Sequence, residues 1–168
     1  MRKLLFIVMA ISLNLILSSC DYIQVLSEKN DEPTVLIEFI KYNNYLVVEN
    51  PKGGYIFDPD LLTVYEVLEE DLMNVFMKEL DEISDYFAPV YRTYINSHNG
   101  FGLRISYEDN SFRILTVTEV NNSQFPTMIY SATYNANKEI IKDYNAYSQV
   151  IIEGFEKLLV KYFKHIEE

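Results

Sequence analysis

The sequence predicts an α+β domain in which an antiparallel β-sheet carries two main helices on one face, plus an N-terminal signal helix. Short runs of β-branched and aromatic residues are separated by turn residues at hairpin spacing. Two longer segments instead repeat apolar residues every three to four positions, as amphipathic helices do. Because the order along the chain is strands, helix, strands, helix, an antiparallel sheet covered on one face is favoured.

Composition limits the classes of function. The chain has 168 residues, of which 49% are hydrophobic and 14% aromatic, enough for one domain with its own core. Its net charge is −11, so anionic lipid headgroups and nucleic acid both repel it. We therefore expect no nucleic-acid binding, and the most compatible macromolecular partner is a basic protein.

The first twenty residues have the pattern of an export signal. Arg2 and Lys3 precede an apolar run from Leu4 to Leu17, and small residues follow it. A positive start, an apolar core and a small-residue end are typical of a secretory signal peptide. The run is shorter than the roughly 20 residues that a spanning helix needs. An uncleaved anchor helix and a buried N-terminal helix are the alternatives.

The sequence Leu17-Ser18-Ser19-Cys20 resembles the lipobox of bacterial lipoprotein precursors. The resemblance implies cleavage before Cys20 and attachment of lipid to its sulfur. The lipid would anchor the chain to a membrane of the cell envelope, and the periplasm is one compartment that the domain would then face. Asp21 resembles an inner-membrane retention signal of enteric bacteria, but that rule differs between bacterial groups and the leaflet stays open. Cys20 is the only cysteine, so we expect no disulfide. The predicted organisation is a signal peptide at 1–19, a lipidated tether at 20–33 and one domain at 34–168.

The first strands are predicted on both sides of a short turn. Runs at 35–41 and 45–49 flank Asn43-Asn44, which favours a tight hairpin because Asn tolerates the left-handed conformation. The segment 58–67 is ambiguous, since Asp58-Pro59 suits a helix start and also a turn. We favour a turn followed by a strand at 62–67, which is rich in Thr, Val and Tyr.

Two amphipathic helices are predicted, one from about Glu69 to Pro89 and one from about Asn145. Acidic residues at 69–71 suit the positive end of the first helix dipole. Gly154 in the second helix would let a strand approach closely. The predicted buried stripes consist of Leu72, Val75, Phe76, Leu80, Ile83 and Phe87 in the first helix, and of Tyr147, Val150, Ile151, Phe155, Leu158, Tyr162 and Ile166 in the second.

Between the helices, the alternation of apolar and polar residues predicts a second group of strands. Runs at 103–107 and 112–120 flank Glu108-Asp109-Asn110-Ser111 and indicate a hairpin. A further strand is predicted at 127–134, followed by a turn and a short strand at 139–142.

The segment 88–102 is the most irregular part of the predicted domain and the first candidate for a binding site. Loops on a rigid scaffold commonly carry binding groups. The candidate residues are Tyr91, Arg92, Tyr94 and His98, which a binding role would require to be exposed on one side. The alternative is a further helical turn followed by a Gly-rich hairpin start.

No pattern in the sequence predicts catalysis. Ser97 and His98 are adjacent, so their side chains diverge in most backbones, and the only other imidazole is His165. Zinc and calcium motifs are absent, and no cofactor motif occurs, so we predict no catalytic residue, no metal and no cofactor. The favoured function is a non-catalytic protein-binding module, including an inhibitor or immunity-type protein. The alternatives are an envelope assembly or structural lipoprotein and, third, a small hydrolase.

Overall fold

The predicted order of strands, helix, strands, helix is confirmed. The computed structural model describes residues 22–24, 32–43, 48–49, 55–56, 62–84, 87–89, 99–119, 127–164 and 166. The strands are β1 (Tyr22–Gln24), β2 (Thr34–Asn43), β3 (Val48–Glu49), β4 (Tyr55–Ile56), β5 (Thr63–Val67), β6 (Phe87–Pro89), β7 (Asn99–Tyr107), β8 (Phe112–Glu119), β9 (Thr127–Tyr134) and β10 (Ile140–Ala146). The helices are α1 (Met73–Ser84), which follows a 3-10 turn at Glu70–Leu72, and α2 (Gln149–Tyr162).

Six of these strands form one antiparallel sheet, in the order β10-β9-β8-β7-β2-β5. Two short pairs accompany it, β1 with β6 and β3 with β4. The predicted hairpin between 35–41 and 45–49 is wrong, because β7 and β5 occupy the two edges of β2. The second run contributes β3 instead, and this strand pairs with β4.

The predicted hairpin at 103–120 is confirmed as β7 and β8. The Tyr107 N–H donates to the Ser111 carbonyl oxygen at 3.0 Å and closes the turn. Asn110 adopts a φ of 65°, which an Asn tolerates better than most residues. The Asp109 carboxylate accepts the Ser111 N–H at 2.9 Å and also the Ser111 hydroxyl. These contacts are local, which is why the sequence pattern alone located this turn.

The strand predicted at 127–134 is also confirmed, and the short strand after it is longer than expected. β10 extends to Ala146, where Asn145 and Ala146 pair with Tyr130 and Ile129 of β9. The predicted start of the second helix near Asn145 is therefore wrong. α2 begins at Gln149, after Ser148, whose hydroxyl accepts the Ile151 N–H at 3.4 Å as an N-cap.

The strand favoured at 62–67 is confirmed as β5, whereas the first helix is shorter than predicted. α1 ends at Ser84, and Phe87 belongs to β6 rather than to the helix. Pairing with β1 holds Phe87–Pro89 in an extended conformation, although the apolar spacing predicted that the helix would include Phe87. Since β1 is Tyr22–Gln24, three residues of the predicted tether pair with a strand of the predicted domain.

Both helices pack on the same face of the six-stranded sheet, as predicted. The core on that face joins alternate residues of the central strands to the inward sides of α1 and α2. Its fully buried members include Ile37, Phe39, Leu103, Ile105 and Leu115 from the sheet, and Phe76, Ile151, Phe155 and Leu159 from the helices. A second apolar cluster, defined by Ile40, Phe112, Ile114, Tyr130, Ala132 and Tyr134, contains the alternate residues of these strands.

Besides Phe87, the structure also corrects the predicted buried stripes at Val75 and Val150. Val75 and Val150 are 51% and 60% exposed, so neither belongs to the core. In α2 the buried side includes Ile152 and Leu159 instead, which rotates the apolar face relative to the predicted stripe. A three- to four-residue spacing leaves this choice open, because neighbouring positions on a helix satisfy it almost equally.

Two glycines mark places where the chain packs closely. A Cβ at Gly102 in β7 would run into the carbonyl oxygen of Leu115 and would lie 2.6 Å from the Cα of Thr116 in β8. At Gly154 in α2, a Cβ would meet the Ile83 Cγ2 at 3.3 Å. The predicted partner of Gly154 was a strand, and the structure shows a residue of α1 there instead. The backbone contact is rigid, whereas the Ile83 side chain can adjust.

We expect Gly102→Ala to lower the free energy of unfolding by about 3 kcal/mol or more, because the methyl group would displace the backbone of β8. Gly154→Ala is the matched control. Its clash is with a flexible side chain, and alanine improves helix propensity by about 1 kcal/mol, so we expect a change near zero. Urea unfolding of the two variants measures both values. A Gly102→Ala variant as stable as the native chain would contradict the close β7–β8 contact.

Candidate binding surface

The sequence-predicted site residues lie outside the described part of the chain. This holds for Tyr91, Arg92, Tyr94 and His98, and also for the lipidation residue Cys20. The structure describes only the ends of the segment 88–102, and it differs there from the prediction of an irregular stretch. Ala88 and Pro89 lie in β6, and residues 99–102 lie in β7.

Among the described strands, β5 offers the most exposed apolar side chains. It forms one edge of the six-stranded sheet, where β2 is its only partner among the strands that the structure describes. Val64, Tyr65 and Val67 are 42%, 44% and 51% exposed, although valine and tyrosine in strands are usually half-buried or more. An edge strand also presents backbone N–H and carbonyl groups that another strand can bind. Sequence reasoning found this strand but did not identify it as a surface.

Aromatic contacts fix the edge strand to the core. The Tyr65 ring meets the fully buried Phe39 ring edge-on, with their centroids 6.4 Å apart. Phe39 in turn stacks on Phe163 at 5.5 Å, just after the end of α2. The Lys41 ammonium lies 4.8 Å from the Tyr65 centroid and 5.7 Å from that of Phe39, within the range of cation–π attraction. The exposed side of β5 is therefore part of a well-packed structure.

Acidic residues flank the carboxyl end of β5. Glu69, Glu70 and Asp71 are all exposed and lie between the buried Leu68, which follows the strand, and the start of α1. Glu66, within the strand, accepts the backbone N–H of Lys164 at 2.7 Å and so joins β5 to the residues after α2. The surface therefore combines an apolar edge, beside the Lys41 ammonium, with a group of exposed acidic side chains beyond the carboxyl end of the strand.

A second group of polar and aromatic side chains crosses the sheet. Arg104 of β7 lies opposite Glu38 of β2, with its Nε 3.5 Å from the Glu38 Oε2. The Arg104 guanidinium also lies 4.9 Å from the centroid of Phe112, which stacks on Tyr134 at 4.8 Å. These four side chains link four strands of the sheet, and both aromatic rings are buried. Because the Arg104 and Glu38 charges have opposite signs, the group offers no net charge to a ligand.

A shallow groove of about 680 Å³ runs between the outer sides of α1 and α2. Its lining includes the two exposed valines, Val75 and Val150, together with Ile83 and Leu158. Three lysines and three glutamates also line it, namely Lys78, Lys157, Lys161, Glu79, Glu82 and Glu153. Positive and negative groups are thus balanced in this groove, unlike the acidic end of β5.

One ion pair in the groove joins the two helices. The Lys161 ammonium donates to both carboxylate oxygens of Glu79, at 2.6 and 2.7 Å, and the Tyr162 hydroxyl donates to Oε1 at 3.0 Å. The hydrogen bond from Lys161 lowers the pKa of Glu79, and the Tyr162 hydroxyl acts in the same direction. The pKa of Lys161 is raised, chiefly by its hydrogen bond to Glu79.

Two further carboxyl groups have shifted pKa values, for different reasons. Partial burial raises the pKa of Asp143 in β10, whereas hydrogen bonds from Ser111 lower the pKa of Asp109 in the β7–β8 turn. Within the described residues, no three His, Cys, Asp or Glu side chains come close enough together to hold a metal ion. No helix in that part of the chain is long and apolar enough to cross a membrane.

Comparison with known proteins adds no relative. No protein-family model matches the chain, and no curated protein or solved structure is significantly similar to it. We therefore infer a function from the residues and contacts of this chain alone.

We expect Glu79→Gln to lower the melting temperature slightly at pH 7 and to have less effect as the pH falls toward about 3. The folded-state pKa of Glu79 is lowered, so its contribution is present above the ordinary value of about 4.3 and is lost as the pH falls through the folded value. Thermal unfolding at several pH values measures this. Glu82→Gln, an exposed change of the same charge in the same helix, is the control. Equal effects of the two substitutions at pH 7 would contradict a specific role for the Glu79–Lys161 contact.

Proposed function

We propose that this chain is a lipid-anchored lipoprotein of the bacterial envelope that acts as a non-catalytic protein-binding module. Its proposed partner is a basic protein, and an inhibitor or immunity-type role is the most specific form of the proposal. The net charge of −11 favours such a partner, because complementary charge speeds encounter and disfavours wrong partners.

The observation that carries the proposal is the exposed edge strand β5 beside an acidic flank. Val64, Tyr65 and Val67 supply apolar contact area, and tyrosine is among the residues most often found at the energetic centre of interfaces. Exposed side chains at 69–71 supply the charge. A basic partner could satisfy both features of this surface at once.

The proposed anchor follows from the resemblance of Leu17-Ser18-Ser19-Cys20 to a lipobox. Cleavage before Cys20 would remove Arg2 and Lys3 and no acidic residue, which makes the net charge of −11 more negative by two. A surface with this charge is repelled by anionic headgroups. Membrane attachment of the processed chain would therefore depend on the lipid, and two or more acyl chains suffice for stable anchoring.

Photo-crosslinking in the native cells tests the proposed function. A benzoylphenylalanine placed at Tyr65 is expected to crosslink one basic protein, because position 65 lies on the proposed surface. The same group at Ala136, an exposed position in the β9–β10 turn, is the matched control and should not crosslink that protein. Mass spectrometry identifies the crosslinked partner, and the net charge of the partner's sequence shows whether it is a basic protein.

The anchor is tested in the same cells with Cys20→Ser. We expect this variant to lose fatty-acid labelling and to leave the membrane fraction. The proposed binding role would be wrong if no basic protein were crosslinked from position 65 or from other exposed positions. The proposed anchor would be wrong if Cys20→Ser kept its acyl label.

A further inference from the structure

We infer that the open side of β5 binds an extended, basic segment of a partner protein, which adds to the sheet as a seventh strand. This inference rests on the proposed protein-binding function and specifies its mode. Strand addition of this kind obtains affinity from main-chain hydrogen bonds and specificity from alternate side chains.

At its carboxyl end, beyond the register shift that separates Glu66 from Val64 in the pairing with β2, β5 has the backbone geometry that strand addition needs. The Leu68 N–H donates to the Ile37 carbonyl oxygen at 2.9 Å, so this residue directs its amide toward β2. In an antiparallel ladder, successive residues direct their amides to opposite sides. Val67 pairs in register with Glu38 and therefore directs its N–H and carbonyl groups away from β2, to the side where no described strand lies.

The side chains of β5 define what kind of segment fits. Val64 pairs with Ile40, and Val67 pairs with Glu38. Both valines therefore lie on the sheet face opposite the helices. Tyr65 contacts Phe39 on the helix face. A partner strand would find apolar contacts on both faces. The five residues of β5 correspond to a partner segment about 17 Å long.

Charge decides between a basic partner and a second copy of this chain. Two copies would each bring a net charge of −11, and pairing through β5 would bring these like charges together. A segment that carries lysine or arginine would instead be attracted by the exposed acidic residues at 69–71. The occupant that the observations favour is therefore an extended segment that combines apolar residues with lysine or arginine.

A defined peptide tests this mode with the purified full-length chain. The probe is a fluorescently labelled heptapeptide, Lys-Val-Lys-Val-Lys-Val-Lys, and its control is the same peptide N-methylated at every residue, so that neither edge can donate. We expect the N-methylated peptide to bind at least about tenfold more weakly, because it has lost its main-chain donors. A peptide with Glu in place of Lys should not bind measurably.

Val67 supplies the matched variants. Val67→Pro removes the outward N–H while sparing the ladder to β2, a position where edge strands accept proline. We expect it to weaken binding of the unmethylated peptide about tenfold, whereas Val67→Ala, which keeps the N–H, should weaken it less. If Val67→Pro fails to fold, the comparison of the two peptides on the native chain decides the question.

Each outcome bears on the inference. Equal binding of the native and N-methylated peptides would overturn it, because the attraction would then be ionic alone. A concentration-dependent dimer that Val67→Pro abolishes would overturn the basic occupant in favour of a second copy. If the cells yield a crosslinked basic protein whose binding is unchanged in Val67→Pro, strand addition is wrong while the proposed function survives.

Discussion

The packing of Phe39 determines how the parts of this structure fit together. This side chain is fully buried in β2, the strand next to the edge strand β5, where it stacks on Phe163 and contacts the Tyr65 ring edge-on. Phe163 meets Phe76 of α1 at 5.9 Å, so one group of rings joins the sheet, both helices and the edge strand. Aromatic pairs in such arrangements add about 0.5–1.5 kcal/mol each beyond their buried area. The position of β5, and with it the proposed surface, depends on this cluster.

The sequence predicted local features of the fold better than long-range ones. The β7–β8 hairpin and the strand β9 follow from turn residues and from period-two alternation, which neighbouring residues determine. The pairing of β2 with β5 and β7 was missed, because the register of distant strands depends on contacts that no local pattern encodes. The end of α1 was missed for the same reason, since Phe87 pairs with β1.

The candidate surface was less predictable than the fold. Thr63–Val67 was expected to be a strand, but its place at the sheet edge depends on the order of six strands. The exposure of Val75 and Val150 also depends on tertiary packing. Apolar spacing predicted that both would lie in the core, whereas the packing leaves both exposed. The residues first predicted as a binding site, Tyr91, Arg92, Tyr94 and His98, remain a prediction, as does the lipid on Cys20.

The structure and the composition together support a consistent physical account of the proposed function. An acidic chain cannot hold itself to an anionic membrane through its surface, so a covalent lipid and a protein-binding surface would have separate roles. The acidic flank would attract a basic partner, and the edge of β5 would provide directional contacts once that partner arrives. Charge alone would give attraction without a defined geometry, which is why the open strand is the central element of the account.

Amide hydrogen exchange on the free, full-length chain tests that element most directly. The Leu68 N–H donates to the Ile37 carbonyl oxygen, whereas the Val67 N–H is directed to the side of β5 where no described strand lies. We expect slow exchange at Leu68 and fast exchange at its neighbour Val67, measured residue by residue under conditions where the chain stays folded. Equal and strong protection of the two amides would show that the edge of β5 is already paired, and it would contradict the proposed surface.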